Sequence, residues 1–208
     1  LVYYISNETS AISATTFFDR NTVDVARDLL GKVIVSQTKK SAMAMVITET
    51  EAYLGKDDRA SHARFGFTER NRVMYGNSGV WYVYLVYGMH WMLNVVAHLP
   101  NRAGLPRHKQ AGAVLIRSGI LLDDEKNCII TGPGRVTRVF GVNKLTNKTR
   151  ISPKEMMWIE DRGIRVGSIK KGPRVGVGYA GSWASRHLRF MATKKNIDVI
   201  IDTVDNFA

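Results

Sequence analysis

The stretch VWYVYLVYGMHWMLNVVA, Val80 to Ala97, decides what kind of fold this chain can have. It lies in a run without Asp, Glu, Lys or Arg between Arg72 and Arg102, long enough in principle to cross a bilayer. Its contents argue otherwise. Tyr82, Tyr84, Tyr87, His90 and Asn94 are spread through its middle, whereas spanning helices gather Tyr at their ends and avoid unpaired polar groups centrally. The run therefore reads as two buried strands, Val80 to Val86 and Trp91 to Ala97, joined at YGMH into a hairpin.

Working outward, Val33 to Gln37 and Met43 to Glu51 are β-branched or apolar runs separated by a polar turn around Lys39 to Ser41, a second hairpin. A helix is expected over Thr22 to Leu30, capped by Asn21 or Thr22 and ended by Gly31. Gly112 to Ser118 reads as a short buried strand. In TGPGR, Thr131 to Arg135, Pro and Gly mark a helix start, with Val136, Val139 and Phe140 as its apolar face. RVGVG (Arg174 to Gly178) and LRFMA (Leu188 to Ala192) read as closing strands. Strands and helices mixed without strict βαβ alternation imply an α+β fold. No repeat or long linker divides the chain, so residues 1–208 are expected to form one domain.

The composition bounds the function classes. With 45% apolar and 23% charged residues, the chain can bury a core and is not of disordered type. Its 30 Lys and Arg against 18 Asp and Glu leave a net charge of +12. Residues 1–100 hold 10 basic and 9 acidic groups, residues 101–208 hold 20 and 9. Concentrated cationic charge suits phosphate binding, although ribosomal proteins, membrane-surface proteins and a merely solvated basic face share the pattern. One cysteine, Cys128, permits no intrachain disulfide and no thiolate zinc site, and fits a reducing compartment. The start LVYYISNETS lacks the charge and apolar pattern of a secretory leader, and Leu1 in place of Met implies a processed chain or a cut boundary.

Two groups of residues could carry chemistry. In ITETEAYLG, Ile47 to Gly55, the carboxylates of Glu49 and Glu51 and the ring of Tyr53 fall on one side of a strand. They are either a solvated strand end, or, since the adjoining run is apolar, a face on which at least one carboxylate approaches the interior, to be paired or used for acid/base work. At the YGMH turn of the Val80 to Ala97 hairpin, Tyr87 and Met89 occupy a tip that is normally polar. They are either core residues or an apolar wedge of the sort that separates base steps. His62, His90, His98, His108 and His187 show no metal-ligand spacing. RVGVGYAG, Arg174 to Gly181, has neither a dinucleotide fingerprint nor a P-loop Lys.

Taken together and in order, ETEAYLG (Glu49 to Gly55), ASH (Ala60 to His62), RNRVMY (Arg70 to Tyr75), YVYLVYGMHWMLN (Tyr82 to Asn94), AVLIR (Ala113 to Arg117), GPGRV (Gly132 to Val136) and RVGVGYAG resemble the alkyladenine (3-methyladenine) DNA glycosylase family. The resemblance implies one α+β domain with a curved, largely antiparallel sheet, flanking helices and a protruding hairpin that inserts into DNA. It makes Glu51 the carboxylate that activates water, with Arg117 and the Val177 carbonyl helping to hold that water. Tyr53, His62 and Tyr84 then sandwich and hydrogen-bond an extruded base, Asn94 discriminates purine edges, and Ala60 and Leu115 form pocket walls. Tyr87, with Met89 beside it, fills the duplex where the base has left. The implied enzyme is a monomer without metal or cofactor, acting on damaged double-stranded DNA inside the cell, in a bacterial cytoplasm or a nucleus. The residues alone leave a second class open, a noncatalytic nucleic-acid binder in which Tyr84 and Tyr87 stack on bases and Glu51 is structural. The role of the basic loop Arg102 to Lys109 in phosphate contact stays open.

Overall fold

The computed structural model of the protein describes residues 10–38, 41–99, 111–122 and 127–205. In chain order its elements are β1 (Ser10–Ala11), α1 (Ala14–Phe18), α2 (Thr22–Asp28), β2 (Val33–Gln37), β3 (Ala42–Tyr53), β4 (Trp81–Val86), β5 (His90–Val96), β6 (Ala113–Leu122) and β7 (Cys128–Thr131). After these come α3 (Pro133–Val139), β8 (Met157–Asp161), β9 (Ile169–Gly172), β10 (Arg189–Ala192) and α4 (Lys194–Asp205). The ten strands make one curled sheet in which every pairing is antiparallel. Its main path runs β1-β8-β2-β3-β6-β5-β4, with β7 added beside β6 and β9 beside β10. The α+β expectation and the curved antiparallel sheet hold.

Strand β3 organises the rest. Met45, Val46 and Ile47 are fully buried, as expected for a central strand covered on both faces. One edge of β3 takes β6 along its length, while the other takes β2 against residues 42–46 and β10 against 49–51. Helix α2 lies over it: the Asn21 side chain accepts from the Val23 N–H at 2.9 Å, satisfying a first-turn donor, and Thr50 Oγ1 donates to the Ala26 carbonyl at 2.6 Å. Gly31 closes that helix at φ +82°, where a Cβ would sit 2.7 Å from the Ile164 carbonyl oxygen. Helix α3 starts on Pro133, as the TGPGR reading requires, and braces the turn end of the β4–β5 hairpin through Thr137 Oγ1 on the Trp91 carbonyl at 3.0 Å.

Two strand readings need correction. The strand read as Gly112 to Ser118 runs on to Leu122, because its second half pairs with both β3 and β7. RVGVG is not a strand. Arg174 is buried against Asp58, and Gly176 turns the chain at φ +75° before a 3-10 turn over Gly178–Trp183. Those demands are incompatible with a ladder. LRFMA does supply β10. The Lys39 part of the first turn and the loop Arg102 to Lys109 lie outside the described residues.

Candidate active site

One register row crosses five strands. Arg189 of β10 pairs with Glu51 of β3, Glu51 with Leu115 of β6, Leu115 with Asn94 of β5, and Asn94 with Tyr82 of β4. Directly opposed residues project to one face, and residues two along join them, which adds Tyr53 and Tyr84. Arg117 arrives by another route. The β3–β6 pairing skips Thr48 on one strand and Arg117 on the other, an irregularity that re-aims the skipped side chain.

At the centre, Glu51 is fully buried. Its Oε1 accepts from the Val175 N–H at 2.8 Å and faces Arg117 Nε at 3.4 Å, and its Oε2 accepts from the Tyr53 hydroxyl at 2.7 Å. The same Arg117 Nε donates to Glu49 Oε1 at 3.0 Å. Glu49 also accepts from Ser118 Oγ at 2.7 Å and from Arg189 at 3.4 Å. So the ETE face is no solvated strand end: two carboxylates share one guanidinium. Behind Tyr53, Arg174 lies 4.7 Å over the ring and grips Asp58 with two bonds of 2.6 and 2.8 Å, both side chains fully buried. Asp58 accepts as well from the Leu54 and Ala60 N–H groups, each at 2.9 Å. The pair thus ties the loop after β3, which carries Ala60, to the turn that presents the Val175 N–H.

Facing this group are His62, Tyr82 and Tyr84. His62 opens a 3-10 turn, His62–Phe65, that Ser61 caps and Asn71 bonds at the His62 and Gly66 carbonyls. His62 Nδ1 is 2.8 Å from the Tyr82 hydroxyl, and its ring centroid is 4.5 Å from that of Tyr84. Burial pushes the Glu51 carboxyl above its ordinary range, against the pull of Arg117, the Val175 N–H and the Tyr53 hydroxyl. Burial, with Arg70 and Arg64 nearby, pushes His62 down to about 4, so its ring is neutral at physiological pH. Burial raises Tyr53, Tyr82 and Tyr84, which keeps their hydroxyls as donors. The arrangement offers one carboxylate able to take a proton beside aromatic, uncharged walls.

A family model for methylpurine-DNA glycosylases matches residues 16–196. The chain belongs to that family. A protein of Methanocella arvoryzae provisionally named 3-methyladenine DNA glycosylase is 40% identical over 186 residues, 84% of this chain and 88% of its own length. Similarly named proteins are 41% identical in an Anaeromyxobacter species, over 85% of this chain and 87% of the relative, and 38% in Ehrlichia chaffeensis, over 78% and 84%.

In this methylpurine-DNA glycosylase family member the residues singled out from sequence fall into three sets. Glu51, Arg117, Tyr53, His62, Tyr84, Asn94 and Leu115 are brought to one face. Asn94 is buried and donates through Nδ2 to the Tyr82 carbonyl at 3.0 Å. Ala60 and Val177 pack together with Ala180. The Val177 carbonyl accepts from the Ala180 N–H at 2.9 Å, and the backbone group that reaches Glu51 from this turn is the Val175 N–H. Tyr87 and Met89 stand apart at the tip of the β4–β5 hairpin, 88% and 70% exposed. Sequence reasoning missed Val175, Asp58 and Arg174, and, having placed Glu49 beside Glu51, did not foresee that the two would share Arg117. A backbone donor leaves no trace in residue identity, and nothing local marks Asp58 as the partner of a residue 116 positions away.

A cavity of about 650 Å³ lies elsewhere, lined by Phe17, Arg20, Lys32, Asp161 and Ile164 among others, and contains none of these residues. Its Arg20 is bonded to Asp28 at 3.0 Å and its Lys32 to Asp161 at 2.6 Å. Among the described residues no helix is long and apolar enough to cross a membrane, and no group of three His, Cys, Asp or Glu could hold a metal ion.

Proposed function

We propose that the chain is a base-excision DNA glycosylase that extrudes an alkylated or deaminated purine from duplex DNA and hydrolyses its N-glycosidic bond. The observation that carries this reading is the fully buried Glu51 carboxylate, oriented from three sides and facing aromatic walls. Glu51 accepts a proton from water as the water oxygen bonds to C1′. The C1′–N bond breaks with its electron pair passing to the base, and free base and an abasic sugar are the products. A carboxylate beside the oxocarbenium-like sugar also offsets its developing positive charge. The Val175 N–H, the Tyr53 hydroxyl and Arg117, itself bonded to Glu49, hold Glu51 in place, and Tyr53, His62 and Tyr84 receive the base, whose positive charge in a 3-methyladenine or 7-methylguanine lesion favours π-faces. Among the described residues placed round Glu51 none is a lysine, so the enzyme acts monofunctionally, without a Schiff base. Tyr87 enters the gap left in the stack. A noncatalytic binder would have no use for a buried carboxylate that costs stability.

The test is release of free base from a duplex with one defined lesion, wild type beside Glu51→Gln. The Gln oxygen can still accept from Val175 and Arg117, and the Tyr53 hydroxyl can turn to accept from its amide, so the variant folds. Excision is expected to fall by about 100-fold or more, the scale of a missing general base, with lesion binding kept. Activity retained in Glu51→Gln overturns the reading.

A further inference from the structure

The large apolar residues left exposed among the described residues include four aromatics: Phe65, Phe67, Tyr87 and Tyr179. All four stand on segments that carry residues of the site or its hairpin. Phe65 and Tyr179, 67% and 63% exposed, are already joined by a cation. The Arg64 guanidinium carbon lies 4.3 Å from the Phe65 ring centroid and 4.6 Å from that of Tyr179, and Arg64 Nη1 donates to the Arg59 carbonyl at 2.6 Å. This stack bridges the 3-10 turn that begins at His62 and the turn that presents Val175. Tyr179 is at the rim of the pocket: its hydroxyl is 3.5 Å from the Ala60 carbonyl and within electrostatic reach of Tyr84. The exposed Arg59 and Arg70 lie on the same two sides, one over Gly181 and the other over the Tyr84 ring.

Leaving two large rings in water forgoes the gain of burying them. A stack of ring, guanidinium and ring has faces of the size and polarisability of a nucleobase, with positive charge for the phosphate beside it. We infer that Phe65, Arg64 and Tyr179 form a platform for the nucleotide next to the extruded one, on the strand that carries the lesion. The inference rests on the glycosylase reading and adds to it a second contact on the damaged strand, distinct from the Tyr87 wedge, which acts on the gap in the duplex.

The experiment compares wild type, Phe65→Ala, Tyr179→Ala and Tyr179→Phe on one lesion in single-stranded and in duplex DNA, each also made with a base-less tetrahydrofuran neighbour on the 5′ or the 3′ side. Affinities are measured in parallel on a Glu51→Gln background, which reads the platform without chemistry. Each Ala variant is expected to lose about 10-fold in kcat/KM and in affinity, the scale of one base–aromatic stack, equally on both substrates. Tyr179→Phe, which keeps the ring, should restore most of that loss. With the neighbouring base removed on one side, wild type should drop to the level of the variants and the Ala change should cost nothing further. Unchanged binding and excision in both Ala variants overturn the platform, as does a loss that persists in full with either neighbour base-less. If wild type excises nothing, the glycosylase reading falls, and the affinities still decide the platform.

Discussion

The proposed reaction asks Glu51 to be an anion in a place that disfavours one. Burial raises its pKa, and the nearby Glu49 adds to the rise while Arg117 opposes it. Excision of an already cationic base needs only that anion, so its rate should climb with pH on a limb centred above the ordinary carboxylate value of 4.5 and then level. Glu49→Gln removes a like charge and leaves Arg117 to Glu51 alone. Both effects lower the Glu51 pKa, so the limb should move to lower pH, with a smaller loss at the plateau than Glu51→Gln causes. Single-turnover pH profiles of wild type and Glu49→Gln check this, and a limb that stays put would separate Glu49 from the site. For a hypoxanthine lesion the proposed reaction also needs the base protonated to leave well, which adds a falling alkaline limb. His62, pushed down to about 4 and already engaged with Tyr82, is neutral where that limb lies, so the limb should survive His62→Gln.

At the scale of elements, the β4–β5 hairpin and the Asp58 loop after β3 carry opposite kinds of investment. The hairpin turn places Tyr87 at φ 52° and Gly88 at φ 71°, with the Met89 N–H on the Val86 carbonyl at 3.2 Å. A left-handed conformation suits Gly or Asn and strains a tyrosine by about 1–2 kcal/mol. Tyr87→Asn should therefore raise stability by up to about 1 kcal/mol in chemical denaturation while weakening excision from duplex and sparing a single-stranded lesion. Equal losses on both substrates would make Tyr87 a pocket residue. The Arg174–Asp58 pair invests in the other direction. Removing one partner strands a buried charge, at a cost of about 3–5 kcal/mol, so Asp58→Ala should lower Tm by roughly 10 °C in a chain of this size. A Tm within about 2 °C of wild type would show that the two loops are held by other contacts.

Across the whole molecule, charge and architecture divide the work. The first hundred residues are almost neutral, with 10 basic and 9 acidic groups, and they supply Glu51, Tyr53, His62, Tyr84, Tyr87 and Asn94. The remainder, with 20 and 9, supplies Arg117 and the turn at Val175 and carries nearly all of the +12. A cationic surface of this kind binds by releasing counterions, so log affinity for undamaged duplex should fall linearly and steeply with log salt. A flat slope between low and moderate salt would rule out a phosphate-dominated surface. The sheet then has to bring the two halves together, which it does by seating β6 between β3 and β5.

Local pattern was enough for the two hairpins, for helix α2 with its Asn21 cap, and for the side of β3 on which Glu49, Glu51 and Tyr53 stand, since a period of two and a capping residue are properties of neighbours in the chain. Ordered motifs were enough for the family. They could not say that Glu51 would be fully buried, because burial depends on β10, β6 and the turn at Val175 closing round it from positions 64 to 138 residues further along. Nor could they say that Arg117 would be the skipped residue of a bulge, or that RVGVG would bend away to pair Arg174 with Asp58 and offer a backbone N–H. Those outcomes belong to strand register and long-range pairing, where one residue of slip changes which side chains meet.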